Sequence, residues 1–84
     1  MTHEIKLDVH YADAVLSGDK CFEVRLNDRG YQKGDRVVFR PVDKGMYAQH
    51  PVANEVYEIT YLVHGYGLEP GWCAFGIRRL HGEV

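Results

Sequence analysis

Five runs of alternating apolar and polar residues, separated by one helical stretch and by turns rich in glycine, proline or asparagine, leave this chain few ways to fold. Alternation with a period of two puts successive side chains on opposite faces of an extended strand. The first run sets His3, Ile5, Leu7 and Val9 against Glu4, Lys6 and Asp8, a strand with one buried face. Over residues 10–17 the spacing becomes helical, with Tyr11, Ala14 and Val15 at i, i+3 and i+4 and Gly18 where a helix C-terminal glycine is favoured. A helix of two turns needs tertiary packing to persist. The second strand covers residues 20–26 and ends at Asn27, Asp28, Arg29 and Gly30. The third covers residues 36–40, entered through Gly34 and stopped by Pro41, which brings no ladder N–H.

Residues 43–51 carry Gly45 and Pro51 without periodicity, so a mobile loop is expected there, long enough to serve as a lid. The fourth strand covers residues 54–64, with Tyr57, Ile59, Tyr61 and Val63 on one face. Pro70 and Gly71 suit the centre of a type II turn. The fifth strand covers residues 72–80, where Gly76 marks a bulge or the close approach of another backbone. Five strands about a dozen residues apart, with one early helix, predict a mainly β (α+β) fold: a small, partly closed five-stranded β-barrel.

The 84 residues form one domain, small enough to bury about 60–65% of the unfolded chain's surface. A net charge of −2 lacks the basic excess that gripping a long duplex requires, so duplex DNA is not an expected partner. A nucleoside or a short single strand needs only a few cationic contacts. Cys21 and Cys73 form no CxxC pair, no basic-then-apolar leader opens the chain, and no apolar run approaches a membrane span. A reducing cytoplasm is the expected setting, without a membrane.

Chemistry concentrates in residues 18–25, Gly-Asp-Lys-Cys-Phe-Glu-Val-Arg. Lys20 stands at the strand entrance; Glu23 and Arg25 then share one face, while Phe22 and Val24 on the other are expected to anchor the strand in the core. A carboxylate acceptor beside two cationic donors suits a ligand with both N–H groups and negative oxygens, such as a nucleotide. The plain alternative is a solvated ion pair, worth about 0.2–1 kcal/mol.

The pattern Gly18-x-Lys20-x-x-Glu23-x-Arg25 resembles the signature of the ASCH family, which has a PUA-like β-barrel fold. The Tyr11 to Gly18 spacing, the Lys33-Gly34-Asp35-x-Val37-x-Phe39 entry and the Tyr66 to Gly71 segment are similar to a compact bacterial and phage subfamily of unknown function. The resemblance implies a cleft over the helix and the motif strand that binds RNA or a nucleotide-like ligand. Lys20 and Arg25 would hold anionic or carbonyl oxygens, and Glu23 would accept from base N–H groups. One branch of the family hydrolyses an acylated cytidine nucleoside with a lysine and, three residues later, a threonine nucleophile. Here that position is Glu23, which cannot supply the hydroxyl; Thr60 would have to be brought beside Lys20 instead.

Outside the motif, Tyr47, Tyr66 and Trp72 lie in or beside the two long loops, where they can stack on a base or plug the barrel end. Lys33, Arg36, Arg40, Arg78 and Arg79 form either a phosphate rim or a solvated face. Cys21, beside Lys20, is either a reactive thiolate or an ordinary cysteine. His3, His10, His50, His64 and His81 form no ligand pair, so neither a metal nor a cofactor is expected. Three functions compete: a binding module for RNA or a nucleotide using Lys20, Glu23, Arg25, Tyr66 and Trp72; a nucleoside amidohydrolase or ribonuclease with Lys20 or Glu23 as general base; and a protein-interaction module.

Overall fold

The computed structural model describes residues 1–81. In chain order the elements are β1 (Thr2–Asp8), α1 (Val9–Ser17), β2 (Phe22–Leu26), β3 (Arg36–Asp43), β4 (Met46–Tyr47), a 3-10 turn (Pro51–Asn54), β5 (Val56–His64) and β6 (Trp72–Leu80). Five strands form one sheet in the order β1-β3-β5-β6-β2, and β4 pairs with β3 off that path. β1 runs parallel to β3, and every other pairing is antiparallel. The sheet is mainly β as expected, yet it does not close into a barrel: β1 and β2 end it without pairing to each other. No helix among the described residues is long and apolar enough to cross a membrane.

The core lies inside the curl of this sheet. Ile5, Val37, Phe39, Ile59, Cys73 and Phe75 are almost wholly buried, and α1 covers them with Ala12 and Val15. Of the face that the spacing suggested, Val15 is buried and Ala14 half-buried, whereas Tyr11 is exposed and Ala12 takes its place in the core. The helix begins one residue earlier than expected because the Asp8 side chain accepts from the His10 N–H at 2.9 Å, an N-cap that ends β1. At the other end Gly18 takes φ +89° and donates its N–H to the Val15 carbonyl.

Three further expectations are corrected. β3 runs through Pro41 to Asp43: only Arg36 and Val37 pair with β5, so the missing proline N–H lies where β5 has already left. The expected lid at residues 43–51 is a hairpin. Lys44 and Gly45, at φ +51° and +82°, form a two-residue turn into β4, and the His50 side chain then accepts from the Val52 N–H to open the 3-10 turn. Finally, Tyr61 and Val63 do not share a face with Tyr57 and Ile59. A bulge between Ile59 and Tyr61 inserts Thr60, so Tyr61 pairs with Gly76 and the inward position passes to Leu62 opposite Phe75.

The bulge explains Gly76. A Cβ there would lie 2.5 Å from the Thr60 hydroxyl oxygen, so only glycine leaves room for the extra residue. Gly76→Ala is expected to cost about 1–3 kcal/mol by overpacking, and Thr60→Ala in the same chain should recover most of it in thermal unfolding.

Asp35 ties the start of β3 to β1, accepting from His3 Nε2 at 2.8 Å and from the Gln32 N–H at 3.1 Å. The His3 hydrogen bond, aided by that of Gln32, holds the Asp35 carboxyl below its ordinary range despite partial burial. The resulting stability is complete above the unfolded carboxylate's pKa and is lost as pH falls through the lower folded value. Asp35→Asn should therefore be less stable at neutral pH and show a flatter loss as pH falls below the ordinary carboxylate range, about pH 4. Urea unfolding across that range tests this, and an unchanged acid limb would refute it.

Candidate functional site

Lys20 stands between helix and strand because its backbone N–H is held by the Ala14 carbonyl at 2.9 Å, just past the Gly18 cap. β2 then begins at Phe22, with Glu23 opposite Phe75 and Arg25 opposite Cys73 of β6. Phe75 and Cys73 point into the core, so Glu23 and Arg25 do too. The expected facing of β2 is reversed: Phe22 and Val24 are 51% and 47% exposed, whereas the Glu23 side chain is 4% exposed. A buried carboxylate is tolerable only when paired and hydrogen-bonded. Glu23 meets both conditions, taking Lys20 Nζ on Oε2 at 2.5 Å and Arg25 Nε on Oε1 at 3.0 Å.

The two cations are further fixed from outside the trio. Lys20 Nζ donates to the Phe22 carbonyl at 2.9 Å and lies 5.0 Å from the Phe22 ring centre and 5.6 Å from that of Tyr11. Arg25 Nη2 donates across the open sheet to the carbonyl of Lys6 in β1. An ammonium has three N–H groups and a guanidinium five. Among the described residues, one donor on Lys20 and three on Arg25 therefore remain without a protein acceptor.

Those donors face a cleft of about 690 Å³ that runs between β1 and β2, within the usual size of a ligand site. Lys20, Glu23, Arg25 and Trp72 all line it. Tyr66 does not: it is 92% exposed on the turn before β6. Thr60 lies outside the cleft, over Gly76. Tyr47 lines not the cleft but an adjoining shallow hollow with Glu4 and Arg40, which shares Lys6 and Arg29 with it.

Of the two readings of Lys33, Arg36, Arg40, Arg78 and Arg79, the rim is not seen at the cleft, which none of them lines. Arg78 pairs with Glu58, Arg79 with Glu55 at 3.8 Å and Arg40 with Glu4 at 3.0 Å. Cys21 is exposed and lines a second hollow, beside Gly18 and Arg79, and Cys73 is buried, which pushes its thiol pKa up. No group of three His, Cys, Asp or Glu among the described residues is placed to hold a metal ion.

Sequence reasoning missed Lys6, Tyr11, Arg29 and Tyr31, which also line the cleft. Tyr31 is held by its N–H on the Asn27 side chain at 2.8 Å and packs at 5.0 Å on Phe75, and burial raises its phenol pKa. The polar alternation of β1 does put Lys6 on the face away from Ile5 and Leu7, a signal that could have drawn it in. Arg29 and Tyr31 sit in a turn whose course no periodicity discloses.

Removing Glu23 should leave two cations crowded over an apolar floor. Glu23→Ala is expected to cost about 3–5 kcal/mol, whereas Val24→Ser should stay within about 1 kcal/mol because Val24 is half exposed. Denaturant unfolding distinguishes this from a surface ion pair, for which Glu23→Ala would cost under about 1 kcal/mol.

An uncharacterised 12.9 kDa protein of Escherichia phage P2 is 35% identical over 60 residues, 71% of this chain and 55% of that protein. The chain thus spans about half the length of that relative. The crystal structure of the hypothetical protein PH0355 is similar in fold, with a TM-score of 0.64 over 95% of this chain and 100% of that one, at 16% identity. Residues 2–77 match the model of a domain of unknown function, DUF3850, and the chain belongs to that family.

Proposed function

We propose that this chain is a binding module for a nucleotide or a short single-stranded RNA segment, held in the cleft between β1 and β2. One observation carries the reading: Glu23 fixes two cations at the cleft floor and leaves them unused donors that face solvent. Glu23 therefore organises the site and does not itself contact the ligand. Lys20 and Arg25 take the phosphate or carbonyl oxygens. Trp72, 37% exposed at the mouth, and the Phe22 ring offer faces for stacking.

The likeness of residues 18–25 to the ASCH signature supports this reading, and so does a sheet curled far enough for both its edges to flank one cleft, as a partly closed PUA-like barrel requires. Binding is favoured over hydrolysis because both Glu23 oxygens are engaged and, among the described residues, no serine or threonine lines the cleft beside Lys20. A cytoplasmic setting suits such a ligand.

Titrating ¹⁵N-labelled protein with uridine 5′-monophosphate and a uridine tetranucleotide should move the resonances of Lys20, Phe22, Arg25 and Trp72 and leave the β3–β4 hairpin still. Lys20→Ala and Arg25→Ala should each weaken binding about tenfold. With two or three phosphates neutralised, the log–log salt slope should be about −1.4 to −2.1. Shifts confined to Arg40, Arg78 and Arg79, or none at all, would defeat the reading.

A further inference from the structure

The main chain on either side of the cleft has unused hydrogen-bonding groups whose positions follow from the ladder. Ile77 N–H donates to the Cys21 carbonyl at 3.0 Å and Asn27 N–H to the Gly71 carbonyl at 2.8 Å. In an antiparallel pair, bonded residues alternate with unbonded ones, so Cys21, Glu23, Arg25 and Asn27 turn their main-chain groups to β6. Phe22, Val24 and Leu26 turn theirs the other way, into the cleft. Lys20 Nζ on the Phe22 carbonyl agrees with this phase.

The same argument applies to β1. Arg36 N–H donates to the Met1 carbonyl at 2.9 Å, so odd positions of β1 face β3 and even ones face the cleft; the Arg25 hydrogen bond to the Lys6 carbonyl agrees. No Cα of β1 lies within 8 Å of a Cα of β2, whereas neighbouring strands sit about 4.8 Å apart. The two edges thus border a slot, spanned at one place by the Arg25 side chain. Among the described residues, the N–H and C=O of Val24 have no partner in it.

We propose that the Watson–Crick edge of an unpaired nucleobase enters this slot and pairs with the main chain of Val24; this rests on the nucleotide reading of the cleft. The N–H and C=O of one extended residue point the same way and offer a donor beside an acceptor. Every nucleobase presents the complementary acceptor beside a donor on that edge, and a phosphate presents acceptors only. The base then continues the plane of the sheet, its inner face over the Arg25 guanidinium, a surface on which splayed bases stack. Such pairing tolerates all four bases and rejects paired ones. An added protein strand is the competing occupant of an open sheet edge; the unused cationic donors on the slot's inner side favour an anionic nucleotide over it.

Two independent arms test this. Val24→Pro deletes the N–H aimed into the slot without touching the ladder to β6, the one setting in which a strand tolerates proline. It should keep the fold and bind the uridine tetranucleotide tenfold or more weakly. The second arm uses the unaltered protein: a tetranucleotide methylated at uracil N3 should lose tenfold or more, whereas methylation at C5 should not. In hydrogen exchange the Val24 amide should be fast in the free protein and slow when bound.

If the parent tetranucleotide binds and either Val24→Pro or the N3-methyl ligand binds within twofold of its reference, the main-chain pairing is wrong and the nucleotide reading stands. If the parent ligand moves nothing in the cleft, both fall. Protection of Val24 that grows with protein concentration in the absence of nucleotide would show the slot taking a second strand and would overturn the proposal.

Discussion

The burial of one carboxylate governs the shape of this protein. Glu23 points inward beside Phe75, where an apolar side chain would ordinarily sit, and a charge there survives only with partners on both oxygens. Lys20 and Arg25 supply them, one from the end of the helix and one from two residues along the strand. The trio lies on the inner side of β2 at the seam where β1 and β2 stay unpaired. Arg25 instead reaches across to the Lys6 carbonyl. The open seam of the sheet, the cleft and the unused donors thus meet at a single inward-facing ion group.

Inverting β2 also accounts for its outer face. Phe22, Val24 and Leu26 stand about half exposed, an arrangement that costs burial energy of about 25 cal/mol for each Å² of apolar surface left in water. Opposite them in β6 are Gly76, Ala74 and Trp72, and beyond the bulge Tyr61 and Val63 in β5. Burying Glu23 therefore places an uncharged surface next to the cleft mouth, where a flat ring loses little by leaving water.

Much of this fold could be read from the residues, and the failures have identifiable causes. Turn chemistry was reliable: Gly18, Gly34 and Gly71 all take the positive φ their positions call for, and the Trp72 N–H closes on the Glu69 carbonyl as a type II turn at Pro70 and Gly71 requires. The extent of β6 was read in full from its alternation. Periodicity failed where a single residue shifts its phase, as Thr60 does in β5, since alternation before and after a bulge looks continuous on paper. It failed again in β2, because alternation assigns two faces but not which is inner, and the rule that apolar residues go inside chose wrongly. The trio of Lys20, Glu23 and Arg25 was recognisable as a group, but its internal roles were not. Their spacing cannot show that Glu23 is sealed beneath the other two, and the contributions of Lys6, Arg29 and Tyr31 depend on which strands the topology makes neighbours.

On the proposed reading of the cleft as a nucleotide site, the same constraint bears on how tightly so small a site can hold its ligand. Association costs about 4–15 kcal/mol in lost motion, and each long side chain immobilised adds about 0.5–1.5 kcal/mol. Stacking one base returns only about 1–3 kcal/mol. Four spare donors could not cover that cost if Lys20 and Arg25 were free on the surface. They are not free: each already makes two hydrogen bonds, to Glu23 and to a main-chain carbonyl. The ordering entropy of both side chains is spent during folding, so a ligand meets donors already in place. That is a physical reason for a buried carboxylate in a domain of 84 residues, where an apolar residue would avoid the cost of burying a charge.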